Sequence, residues 1–276
     1  VVKVMRRFIG LLFCCLLAVT SPVLWAGQLV LVIDDFGYRQ HNEEQIIGFS
    51  PYITIAVLPH SPNAKHIATL AHEHGNDVII HLPMAPINKQ PLEKDTLFPS
   101  MSESEVKTIV DNAVVRVPYA VGVNNHMGSL MTSNLNGMTN VMKALSHYSM
   151  FFLDSKTIGK TQVKKAGLDY NIPVLTRDVF LDDKQTESAI SQQFDLAVKL
   201  ARKNGVAIAI GHPHPQTVNV LRTKLANLPE DIELVKLRQL IVSDSVSHKP
   251  KITLKAIIEK CKQRFEKIVN LKLVDE

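Results

Sequence analysis

The sequence predicts an α/β fold, a (β/α) barrel of seven or eight parallel strands, and three observations predict it. Short runs of valine, leucine and isoleucine alternate with helical stretches over about 220 residues, the βα rhythm of a parallel sheet with right-handed crossovers. The first run, Leu29-Val30-Leu31-Val32-Ile33, is continuously apolar, as in a strand buried on both faces. Six of the runs end in ionisable or metal-binding residues, which a parallel barrel collects on the rim at the carboxyl ends of its strands. An open doubly wound sheet is the alternative.

The strands are expected at 29–34, 53–57, 77–82, 120–124, 151–154, 173–176, 206–210 and 232–236. The helices are expected near 40–48, 63–74, 103–115, 137–147, 161–168, 187–203, 216–226 and 236–242. Ser102 followed by Glu105 is a capping box that starts the third helix. Thr186 starts the sixth, and Gly205 just past Asn204 stops it. The one long connection, 83–101, contains Pro83, Pro86, Pro91 and Pro99, and a loop of that length in a compact domain tends to cover a site.

The two ends of the chain read differently from its middle. Lys3, Arg6 and Arg7 precede an apolar run from Phe8 to Val19, followed by Thr20-Ser21-Pro22 and the small residue Ala26. That order is a secretory signal, residues 1–26, and it implies export to a periplasmic or extracellular space; an uncleaved N-terminal anchor is the alternative. Beyond the signal only Cys261 remains, so no internal disulfide is expected and stability must come from the core. The barrel is assigned to 27–243 and a basic tail to 244–276, where Leu254, Ile257, Ile258, Cys261, Phe265 and Ile268 recur at helical spacing. That helix either docks on the barrel or meets an envelope protein partner or a membrane surface. The net charge of +5 comes from the two ends, because 27–248 holds 20 basic and 22 acidic residues. The body is therefore no polyanion binder, and it carries no nucleic-acid motif.

The strand exits carry the chemistry. The first delivers Asp34-Asp35, the third His81, the fourth Asn125, His126 and Ser129, the fifth Asp154, the sixth Arg177-Asp178 and the seventh His212 and His214. Two acids at the end of a buried strand cannot be core residues, since unpaired buried charge is costly. Adjacent strand residues face opposite sides, so Asp34 and Asp35 do different work unless the strand twists or ends between them. Imidazoles and a carboxylate converging from different strands suit Zn²⁺, or another divalent cation, with three protein ligands and a place for water. One Asp as ligand, one as base, two His as ligands and one His as acid account for the set. Taken singly, each has a plainer explanation: a strand-end His satisfies a hydrogen bond, Asp154 caps a turn, and Arg177 pairs with Asp178 or orients Asp34. A glycosidase using Asp34 and Asp178 without metal is a further reading, weakened by the histidines.

Ile33-Asp34-Asp35-Phe36-Gly37, His81-Leu82-Pro83-Met84, Asn125-His126-Met127-Gly128-Ser129 and Gly211-His212-Pro213 resemble the divergent polysaccharide deacetylases, distant relatives of the NodB-type carbohydrate esterases. The resemblance spans about residues 28–242. It implies a barrel that removes N- or O-acetyl groups from an envelope or extracellular polysaccharide. Carried over residue by residue, it implies Asp34 as base, Asp35, His81 and His126 as metal ligands and His212 as acid. The family's Arg-x-Pro segment is missing, and Arg177 is the nearest substitute as a catalytic residue. Asn125, Ser129, Asp154, Asp178 and His214 are the candidate substrate-binding residues on the same rim. The alternative is a non-catalytic envelope protein that keeps the cup for sugar binding.

Overall fold

The computed structural model describes residues 26–241. The expected signal up to residue 25 and the whole of the expected basic tail, 244–276, lie outside the described residues. The described chain runs β1 (Gly27–Phe36), α1 (Gln40–Phe49), β2 (Thr54–Val57), α2 (Ala64–Glu73), β3 (Asp77–Met84), α3 (Glu103–Arg116) and β4 (Ala120–Met127). It continues with α4 (Ser129–Thr132), α5 (Leu135–Leu145), β5 (Phe151–Asp154), α6 (Val163–Leu168), β6 (Val174–Thr176) and β7 (Val179–Phe180). It ends with α7 (Glu187–Asn204), β8 (Val206–Gly211), α8 (Pro215–Ala226) and β9 (Ile232–Leu234). These elements belong to a compact unit that ends at Lys236; residues 237–241 are helical and fall in a second unit.

Every strand pairing is parallel, in the order β6-β5-β4-β3-β2-β1-β8-β7, with β9 beside the start of β1. The two edge strands of that order, β6 and β7, are consecutive in sequence. Only Arg177 and Asp178 separate them, so the two edges lie within about 11 Å of one another along the chain and the sheet must curl. The Arg177 amide donates to the Asp154 carbonyl on one side (3.0 Å), and the Asp178 amide donates to Ile208 on the other (2.9 Å). One segment, 174–180, thus joins both edges and closes a barrel.

The interior follows from the strand period of two. Leu29, Leu31 and Ile33 belong to the core shared with the helices, together with Ile55, Val57, Val78, Ile80 and Leu82. The alternate residues Val30, Val32, Ile79, Ile208 and Ile210 are equally buried, on the other face, and fill the barrel. Each such side chain contributes about 1.5–3 kcal/mol by leaving water. Continuing the inward series by two residues gives Asp34, His81 and His212, so the register that packs the barrel also puts polar groups at its mouth.

The capping box at Ser102–Glu105 forms in both directions, and Thr186 and Gly205 bound α7 as the sequence implies. Two differences have local causes. α5 begins at Leu135, earlier than the expected 137, because the Asn134 side chain accepts from the Gly137 amide and caps it. β7 and α4, of two and four residues, are too short to leave a periodic signal.

Candidate metal centre and acid–base pair

The site is built where β1 leaves its own regular geometry. The β1–β2 register shifts between Ile33 and Phe36, and Asp35 takes φ +60. This kink cancels the alternation that would send the two acids to opposite sides, and both reach the cup. Gly37 follows with φ +114, where an added Cβ would stand 1.8 Å from Ser61 Oγ, so the turn accepts only glycine. Met127 (φ +53) and Lys156 (φ +51) hold left-handed backbone at the exits of β4 and β5. Such conformations cost on the order of 1 kcal/mol or more each and concentrate at functional sites.

Asp35, His81 and His126 converge from three strands. Asp35 Oδ1 lies 3.2 Å from His81 Nε2 and 3.0 Å from His126 Nδ1, and the two imidazole nitrogens are 3.1 Å apart. A tetrahedral ion with bonds of about 2.0–2.1 Å would set its ligand atoms about 3.3 Å apart, so this triangle has the right size. Asp35 Oδ1 is also buried without a well-formed hydrogen bond, an orphan that a cation would satisfy. The three residues therefore fit a divalent cation.

Asn124 connects this triangle to Asp34. Its Oδ1 lies 2.8 Å from His81 Nδ1, and its Nδ2 donates to Asp34 Oδ1 at 2.8 Å. Since the carbonyl oxygen can only accept, His81 carries its proton on Nδ1 and turns the lone pair of Nε2 toward the triangle. Asp34, 2% exposed, is pushed up from the usual carboxylate range by burial, against the pull of His81, His212 and the Asn124 amide. Burial acts on Asp35 in the same sense, but the two imidazoles against it and nearby His212 hold its carboxyl far below that range. The adjacent acids are thus driven apart, one toward accepting a proton and one toward permanent charge.

The second element is an imidazole–carboxylate pair. His212 Nδ1 lies 2.9 Å from Asp182 Oδ1, while Asp182 Oδ2 accepts from the His212 amide (2.6 Å) and Thr217 Oγ1 (2.8 Å). The pair leaves His212 Nε2 facing the cup, 4.0 Å from Asp35 Oδ2. Burial disfavours the imidazolium, yet Asp182, Asp35 and Asp34 outweigh it and push the His212 pKa up to about 9. Asp182 was not anticipated. The signal lay in the register: β7 pairs with β8 at a constant offset, so the acid just past β7 falls beside the histidine just past β8.

The other rim residues divide. Arg177 does not hold Asp34: its Nε and Nη2 donate to the carbonyls of Ser155 (2.7 Å) and Lys156 (3.1 Å), and its guanidinium lies over the Phe180 ring. The Asn125 carboxamide ties Met127 O to the Ser155 amide, and Ser129 Oγ accepts from the Ile87 amide. Asp154 Oδ1 accepts from the Lys156 amide, a turn cap, and Asp178 Oδ2 accepts from the Ile208 amide. Hydrogen bonds within the fold thus engage four residues expected to face substrate, which explains their placement at strand ends without reference to a ligand. His214 stays at the mouth between Arg39 Nη1 (3.2 Å) and Gln185 Nε2 (3.0 Å).

The connection after β3 does lie over the cup. Glu93 Oε2 accepts from the Tyr38 hydroxyl at 2.9 Å, and Asp95 pairs with His60 at 2.7 Å. A cavity of about 340 Å³ remains beneath it, lined by Asp35, Tyr38, Arg39, Leu58, Glu93 and His126.

The comparisons bear on the family and the fold. Residues 31–241 match the family described as divergent polysaccharide deacetylase. The chain is 58% identical over 231 residues to the uncharacterized protein YibQ of Escherichia coli K12, covering 84% of this chain and 72% of that one. Among solved structures, the uncharacterized protein ATU2773 of Agrobacterium tumefaciens superposes with a TM-score of 0.72 at 19% identity, covering 78% of this chain and 89% of the other. A mutant of BA3943, a CE4 family pseudoenzyme with restored enzymatic activity, from Bacillus anthracis, shares the fold at a TM-score of 0.50 and 14% identity, over 78% and 67% of the two chains. With the sequence match running from β1 past β9, this chain belongs to the divergent polysaccharide deacetylase family.

Proposed function

We propose that this chain is an exported, metal-dependent deacylase that removes N- or O-acetyl groups from an envelope or extracellular polysaccharide. The observation that carries the reading is the 3.0–3.2 Å triangle of Asp35, His81 and His126 beside two differently tuned proton carriers, Asp34 and His212. Asp35, His81 and His126 would hold the cation, with Zn²⁺ the first choice for two imidazoles and one carboxylate. When bound, the cation supplies Lewis acidity toward an acyl carbonyl and toward water.

The chain's own groups supply the proton transfers. Asp34 takes the proton that water gives up as its oxygen bonds to the acyl carbon. His212, held charged by Asp182, gives the Nε2 proton to the nitrogen or oxygen of the sugar as its bond to the acyl carbon breaks. Asn124 keeps Asp34 and His81 in register with one another. Tyr38 and Glu93 narrow the mouth and limit the water that reaches the cup.

Two variants test this. Asp35→Ala should lose bound metal by elemental analysis, and Asp34→Asn should keep the metal and lose turnover on acetylated glycans. Activity retained by both would overturn the assignment. One observation favours a non-catalytic sugar-binding role instead: Arg177 gives its hydrogen bonds to main-chain carbonyls and none to Asp34. A metal-free mature protein whose melting is unmoved by Zn²⁺ would support that role.

A further inference from the structure

A second, larger cavity of about 690 Å³ lies between the β5–α6 loop, the 177–181 segment and α7. It shares no lining residue with the cup, but Phe180 forms its wall, and the same ring stands 5.3 Å from the His212 imidazole. The two spaces are therefore neighbours across one side chain. The volume falls within the range of small-molecule sites.

The lining is chemically specific. Lys156, Arg177 and Lys184 bring three cations, and none of them has a carboxylate within 4 Å among the described residues, where the lysine and arginine ion pairs all lie elsewhere. The Arg177 guanidinium is half-buried and its two hydrogen bonds go to neutral carbonyls, so it is held in place, with Asp154, Asp34, Asp178 and Asp183 acting on it only from beyond ion-pair distance. Asp178, which accepts from the Ile208 amide, and Asp183 bring two negative charges against the three positive ones, so the lining carries a net charge of about +1. The balance favours a singly charged anion over a dianion such as a phosphate ester. Phe180 and Leu196 add apolar surface, and Gln192 and Gln193 add amides, the combination that suits a sugar ring with its hydroxyls.

We propose that this cavity binds a carboxylate-bearing sugar, a uronate unit of a glycan chain whose neighbouring unit reaches the cup. The last clause rests on the deacylase reading; the uronate site itself does not.

The test uses the full chain in the presence of a chelator, so that metal chemistry plays no part. Binding of a galacturonate trimer, a neutral N-acetylglucosamine trimer and glucose 6-phosphate is followed by calorimetry, with the side-chain amides of Gln192 and Gln193 watched by NMR. The uronate should bind about tenfold or more tightly over the neutral trimer, weaken with added salt and shift both amides. Lys184→Glu, at an exposed position that spares folding, and Arg177→Gln should each lower uronate affinity about tenfold. Equal binding of the neutral trimer, tighter binding of the phosphate ester, or unchanged uronate affinity in Lys184→Glu would overturn the proposal. Uronate binding by the chelated chain, together with no turnover of any acetylated glycan by the chain supplied with Zn²⁺, would sink the deacylase reading and leave this one standing.

Discussion

Asn124 donates to Asp34 and accepts from His81 through the two ends of one carboxamide, both at 2.8 Å. A neutral side chain thereby fixes the tautomer of one residue of the triangle and the orientation of the neighbouring acid. Asn124→Leu should weaken metal binding about 10- to 100-fold, as is usual when a partner of a ligating histidine is lost, with turnover falling further than metal content explains. Asn124→Asp should retain the His81 contact but crowd Asp34 with a second carboxylate, raising the Asp34 pKa further. Metal titrations read against turnover at saturating metal check both outcomes.

His212 and Asp182 give a pH signature in the metal-free protein. The imidazole titrates near 9, above its ordinary 6.5, so its contribution to stability is complete below about 6.5 and is lost as pH rises through about 9. In Asp182→Asn the carboxylate charge is gone, and the His212 ring signals in NMR should titrate toward 6.5. The same variant should lose the part of the stability decline that wild type shows between these two values, and turnover should drop about 10²-fold or more as the acid loses its proton.

Glu43 is fully buried in α1, where its Oε1 accepts from the amides of Tyr38 (3.0 Å) and Arg39 (2.6 Å) and its Oε2 finds no partner. Burial raises its pKa above 4.5 despite those bonds. A raised carboxyl favours the protonated form, so its contribution is greatest below 4.5 and falls as pH climbs through the folded value. Glu43→Gln keeps the acceptor without the charge. Its melting temperature should gain on wild type as pH is raised from acid to neutral. Glu43→Ala should lose about 1–3 kcal/mol at every pH, since the two amides would be left unsatisfied.

The residues that were legible in the sequence are those whose role follows from one strand at a time. Leu29–Ile33 announces a buried strand, and the inward period of two carries Asp34, His81 and His212 to the mouth without further information. What was not legible depends on two strands at once. Asp182 means nothing until the β7–β8 register puts it beside His212, and β7 itself has only two residues. The kink at Asp35 likewise shows only in the β1–β2 register shift: aspartate enters the left-handed region more readily than most residues, but that tolerance alone does not mark where a strand will kink. The partners of Arg177 were not legible for a related reason: its neighbour in sequence, Asp178, binds a backbone amide of β8, and its own partners are carbonyls after β5.

The pairing of β1 with β8 also sets an order of events during synthesis. Val30 of β1 pairs with Ile208 of β8, about 180 residues later, so the first strand made waits for nearly the last. Until α7 and β8 emerge from the ribosome, one edge of a strand whose middle, Leu29–Ile33, is wholly apolar stays bare and open to pairing with any other chain. A nascent chain of this kind has reason to rely on chaperones, and truncation anywhere before Val206 should yield aggregate in place of a smaller soluble barrel.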